Sequence, residues 1–179
     1  MIIKSFELSK LNSYKFNLHL IFGNNEGIKD DIIRDFYLKK FDGEILKYDE
    51  QEIFNNKEEF LSSLFTKSLF ETSKLIIISR GTDKLASLVT EILENTIEDV
   101  KIIIKCSNLE KKSKLRNLFE KEKNIVCTPV YEDDNRSLNS LINTFLREQN
   151  ISLSQEIKNI LIERSKGDRI NLKNELLKL

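Results

Sequence analysis

The residues best able to do chemistry sit in one loop, Phe22-Gly23-Asn24-Asn25-Glu26-Gly27-Ile28-Lys29-Asp30. An apolar run precedes it and a helical pattern follows it. Strand, glycine loop and helix form the setting in which backbone amides and a lysine hold phosphates. A working loop reads G-x-x-x-x-G-K-[ST], because amides, lysine and hydroxyl must converge on phosphate and magnesium. Gly23 and Lys29 keep that separation, but Ile28 replaces the second glycine and Asp30 the hydroxyl. A β-branched residue restricts the tight approach of amides. Glu26 and Asp30 add negative charge where phosphates would arrive. The third apolar run ends in Ser79-Arg80-Gly81, where a magnesium-binding acid is expected. The loop, with Gly23, Gly27 and Lys29, therefore reads as an ordinary turn capped by Asn24 or Asn25. No ATP, metal or other cofactor is expected, and Lys29 reads as a solvated helix residue.

Other chemistry is sparse. His19 is the single histidine and lies between Leu18 and Leu20. It is expected to be a strand residue with a satisfied imidazole. Cys106 and Cys127 lack paired-ligand spacing, so a zinc site is not expected. No Ser/His/Asp or Cys/His arrangement is visible. The acidic run Glu132, Asp133 and Asp134 reads as helix-start charge rather than a metal site. Lys111, Lys112, Lys114, Arg116, Lys121 and Lys123 make a basic stretch, largely offset by Glu110, Glu120 and Glu122. It reads as a solvated helix face.

The elements that must position these residues alternate. Apolar, β-branched runs at 16–22, 44–48, 74–79, 100–105 and 124–127 read as strands, and several are apolar on both faces, as buried parallel strands are. Between them lie helical stripes: Ile28, Ile32, Ile33, Phe36 and Tyr37; Phe60, Leu61, Leu64 and Phe65; Leu85, Leu88, Val89, Ile92 and Leu93; and Leu115, Leu118 and Phe119. Thr82 or Asp83 is a plausible cap for the third. The pattern implies a parallel sheet flanked by helices. After Pro129, the only proline, three helical stripes follow, with Gly167 as the break between the last two. A boundary is expected near 130–134, giving an α/β domain over 1–131 and a helical lid over 132–179. The last stripe is still apolar at Leu179, so the element is expected to run on.

Composition sets the outer limits. The 179 residues carry 40% hydrophobic and 32% charged side chains and a formal net charge of zero. That is enough apolar material for a core and too little basic charge to hold nucleic acid by charge alone. Two free thiols, no signal peptide and no run long enough to span a bilayer point to the cytoplasm and away from a membrane. A dinucleotide-binding dehydrogenase is disfavoured, since no G-x-G-x-x-G follows the first strand.

Three stretches resemble one family in order and spacing: Leu20 to Gly27, Leu109 to Lys121, and Gly167 to Leu179. They are similar to the first strand and loop, the helix after strand four, and the third lid helix of the delta subunit of the bacterial DNA polymerase III clamp loader. The resemblance implies an AAA+-like α/β fold with a parallel five-stranded sheet and a small three-helix lid, lacking ATP-binding chemistry. It further implies a non-catalytic part in DNA replication, within a DNA-directed DNA polymerase (nucleotidyltransferase) assembly. The partners it implies are the sliding clamp, primed DNA in the full assembly, and other clamp-loader subunits met through a C-terminal collar domain with no counterpart here. Family members grip the clamp with two adjacent hydrophobic residues between the second helix and third strand. In Ser68-Leu69-Phe70-Glu71-Thr72 these fall on Leu69 and Phe70. Leu69 also continues the stripe of Phe60 and Leu64 and could be core, whereas Phe70 falls off it. In active AAA+ lids a nucleotide-sensing arginine sits near Arg169; here it is expected to have a surface or packing role. The competing readings are a functional P-loop ATPase and a generic α/β interaction domain.

Overall fold

The computed structural model describes residues 1–10, 16–65, 73–95 and 99–179. Five strands, β1 (Leu18–Phe22), β2 (Glu44–Asp49), β3 (Lys74–Gly81), β4 (Val100–Cys106) and β5 (Val126–Pro129), form one sheet in the order β2-β3-β4-β1-β5. Every pairing is parallel. The strand positions follow the apolar runs, although β1 begins at Leu18 rather than at residue 16.

Both faces of the sheet are buried, and alternation decides which side chain serves which face. Ile76, Ile78, Ile102 and Ile104 join Leu18, Leu20 and Phe22 in one core. Ile77 and Ile103, opposite one another in register, are buried on the other side. α4 (Leu85–Glu94) and α5 (Lys114–Lys121) close the first core with Leu85, Leu88, Val89, Ile92, Leu115 and Phe119. α2 (Glu50–Asn55) and α3 (Lys57–Phe65) add Ile53, Phe60 and Leu64.

Two local features depart from the sequence reading. The stripe over 28–40 is not one helix: α1 (Glu26–Ile32) passes into a π-helical turn (Ile33–Tyr37) and a short 3-10 turn (Leu38–Lys40). Neither Thr82 nor Asp83 caps α4 by its side chain, since the N-cap is Lys84. Asp83 instead accepts hydrogen bonds from the amides of Lys114 (3.0 Å) and Leu115 (3.1 Å) and from the Ser113 hydroxyl. Its carboxylate thus sits at the start of α5, where negative charge is favoured.

The imidazole expected to be satisfied is so. His19 Nδ1 lies 2.6 Å from the Tyr37 hydroxyl, and Nε2 lies 2.8 Å from Thr128 Oγ1. Burial pushes its pKa down to about 3. At the outer edge of β5, the Ile3 amide donates to the Cys127 carbonyl and the Cys127 amide to the Met1 carbonyl, both at 2.9 Å. The far edge, β2, exposes Glu44, Ile45 and Lys47.

The chain divides into two compact units, Met1–Asn24 with Ile32–Val130, and Asn25–Asp31 with Tyr131–Leu179. The second contains α6 (Asn135–Gln149), α7 (Gln155–Arg164) and α8 (Arg169–Leu176). Asp134, Ser154 and Asp168 cap them, each accepting from an amide three residues on. Gly167 takes the left-handed φ of 72° that breaks the chain between α7 and α8. Leu138, Ile142, Leu146, Leu161, Leu172 and Leu176 form the core of this unit. α8 covers Arg169–Leu176, with Leu177 as its C-cap.

Candidate functional site

Gly23 ends β1's turn with φ 134°, a conformation open to glycine. A Cβ there would stand 2.0 Å from the Val130 carbonyl oxygen. Its amide donates to the Ser107 carbonyl at 3.3 Å. Close passage of the chain beside Val130 thus accounts for this glycine without any phosphate. Gly23→Ala is expected to cost about 2–4 kcal/mol, since strain and a backbone clash coincide. A thermal melt should show a midpoint lower by roughly 10 °C; an unchanged midpoint would mean that the turn has another way to pack.

From Asn25 on, the loop belongs to the helical unit. Asn25 is the cap the sequence suggested: its Oδ1 accepts from the Ile28 amide at 3.0 Å. Its Nδ2 donates to Asp133 Oδ2 (2.8 Å) and to the Tyr131 carbonyl (3.1 Å). Gly27 is buried in α1, and a Cβ on it would lie 3.0–3.1 Å from the Cβ, Cγ and Cδ of Arg169. This glycine makes room for an arginine stem.

Lys29 corrects the sequence reading. It is not solvated: its side chain is 1% exposed, and Nζ lies 2.5 Å from Glu26 Oε1. Glu26 is one helical turn away and meets it from the same face. Asp30, at the place of the hydroxyl, is exposed.

Arg169 takes the packing half of the role expected for it, its stem lying against Gly27. It is 17% exposed, and its guanidinium donates from Nε to Asp31 (2.9 Å) and from Nη1 to Asp133 (2.7 Å). Lys173, one turn along α8, donates to the other oxygen of Asp31. Burial raises the Asp31 pKa, but hydrogen bonds from Lys173 and Arg169 outweigh it and hold the carboxyl below its usual range. Asp133 is almost fully buried and also accepts from Ser137 Oγ at 2.6 Å. Asp31 and Lys173 carry no local signal: their partners stand 138 and 142 residues away.

Just past β3, the Thr82 hydroxyl donates to the Glu50 carboxylate at 2.9 Å. Arg80, at φ 54°, pairs with Asp49. Among the described residues no group of His, Cys, Asp and Glu could hold a metal ion, and no helix is long and apolar enough to cross a membrane. The basic stretch is exposed at Lys111, Lys112, Lys114, Lys121 and Lys123, while Arg116 pairs with Glu120 at 2.7 Å.

Leu69 and Phe70 lie outside the described residues. The flanks are described. α3 ends with Leu64 buried and Phe65 40% exposed. On the far side Lys74 Nζ donates to the Ser63 carbonyl at 3.0 Å, holding the start of β3 beside the end of α3.

The chain matches the DNA clamp loader delta protein of Bacillus subtilis with a TM-score of 0.64, over 97% of this chain and 56% of that one, at 12% identity. It shares that protein's fold. Domain III of the replication initiation protein DnaA from Thermotoga maritima matches with a TM-score of 0.50, at 14% identity, over 98% of this chain and 79% of that one. Replication initiator DnaA bound to AMPPCP and single-stranded DNA matches with a TM-score of 0.53, at 15% identity, over 96% and 57%. The fold is therefore AAA+-like, with neighbours among DNA-replication proteins. The chain spans little more than half of the length of the clamp loader delta protein. No family model and no curated protein sequence matches it.

Proposed function

We propose that this chain is the clamp-gripping part of a clamp-loader delta subunit, which binds a ring-shaped sliding clamp and favours its open form without hydrolysing ATP. One observation carries the reading: the cations and amides that would hold a nucleotide are engaged by the chain itself. Lys29 is on Glu26, Arg169 is on Asp31 and Asp133, and the amide of Ile28 is on Asn25. An AAA+-like fold with its nucleotide seat filled from within is left with binding as its means of action. The fold shared with a clamp loader delta protein supports the clamp as the partner.

Opening then follows from differential affinity. A ligand shifts a closed ring toward an open one only by as much as it binds the open form more tightly. Leu69 and Phe70 supply the apolar contact. Other loader subunits and primed DNA join in the full assembly, and the protein works in the cytoplasm as part of DNA polymerase III.

Two measurements test this together. Calorimetric titration with magnesium ATP to millimolar concentration is expected to give no heat of binding, and the chain is expected to co-purify with the sliding clamp of its own cell. Saturable ATP binding would favour the P-loop ATPase reading. Absence of the clamp, with a different protein recovered, would favour a generic interaction domain.

A further inference from the structure

The engaged arginine also bears on how residues 25–31 stay folded. α1 has seven residues, and so short a helix does not persist in water without tertiary support. Residues Asn25–Asp31 belong to the helical unit although about 100 residues separate them from the rest of it. Asp31 accepts from both Arg169 and Lys173 of α8, and Asn25 donates to Asp133.

We infer that Asp31, Arg169, Lys173 and Asp133 form an ionic latch that keeps residues 25–31 ordered on the helical unit with no nucleotide present. Two carboxylates and two cations balance within the cluster, so it needs no outside counter-ion. Arg169 bridges Asp31 at 2.9 Å and Asp133 at 2.7 Å, and Lys173 takes the second oxygen of Asp31. Asp133 is fixed in turn by Asn25 at 2.8 Å and Ser137 at 2.6 Å. The groups are only 1–27% exposed, so salt screens them less than surface pairs. Asp31 therefore stands as an internal anion for a pair of cations that would otherwise attract one from solution. The segment following the glycine loop is ordered permanently, and an ATP cycle has nothing to switch there.

The latch rests on the reading that no nucleotide fills the loop, and its test needs none. Amide hydrogen exchange of the full chain is compared with that of Asp31→Asn, Arg169→Gln and the double variant. Each single change is expected to speed exchange of the amides at 26–31 by about 10–100-fold, as loss of a half-buried ion pair does. The double variant is expected to fall short of the sum of the two single effects, because both changes break the Asp31–Arg169 pair at the centre of the cluster. Exchange at Ile102 to Ile104 in β4 should stay unchanged, which separates unlatching from global unfolding. Unaltered exchange at 26–31, or additive effects of the two changes, overturns the latch. ATP binding in the titration above, with the exchange result intact, would remove the function proposed but keep the latch.

Discussion

Replacing Leu69 and Phe70 together by alanine is expected to abolish capture of the sliding clamp while leaving the far-ultraviolet circular dichroism near that of the parent. Burying each side chain in a partner's pocket contributes about 1.5–3 kcal/mol. Losing both weakens binding by roughly 10²–10⁴-fold, and such paired anchors often carry most of an interface. The single variants divide the labour. Leu69 continues the stripe of Phe60 and Leu64, both buried. If it shares their core, Leu69→Ala lowers the melting temperature. Phe70 falls off that stripe, so Phe70→Ala should weaken clamp binding at unchanged stability. Surface plasmon resonance against immobilised clamp reads both. A folded double variant that binds like the parent places the contact elsewhere.

Acid should destabilise the protein in a window set by one side chain. His19 is buried between Tyr37 and Thr128, and burial pushes its pKa down to about 3. In the unfolded chain it titrates near 6.5. Between those values the unfolded state holds one proton more than the native state, so stability rises with pH and levels off above about 6.5. The slope is about 1.4 kcal/mol per pH unit. From pH 7.5 to pH 4.5, His19 alone should remove about 3 kcal/mol. His19→Gln is less stable at neutral pH but lacks this titration, so its urea midpoint should fall less over the same interval. Equal falls in parent and variant would show that the imidazole is not the group responsible.

The sheet was legible because its strands are apolar on both faces, as LIII of β3 and VKIII of β4 announce. The loop's departure from G-x-x-x-x-G-K-[ST] was legible too, since Ile28 and Asp30 stand where that pattern needs other residue types. The partners of the residues around it were not legible. Asp31 and Lys173 look like ordinary helix charges, and only the folded chain brings them together across 142 residues. Asp83 misled for a related reason: it stands where a cap belongs, yet serves a helix thirty residues on. Lys29 looked solvated because lysine usually is; the nearby carboxylate of Glu26 permits its burial.

The two margins of the sheet are guarded by different means. Beside β5, the backbone of Met1 to Ile3 occupies the hydrogen-bonding groups of Cys127. Along β2, last in the sheet among the described residues, the charged Glu44 and Lys47 are exposed and discourage pairing with another chain. Removing the first three residues would strip β5 of its cover and expose a short, uncharged Val-Cys-Thr-Pro ribbon to other copies of the chain. Such a shortened protein should keep its helical signal at low concentration and turn cloudy as it is concentrated.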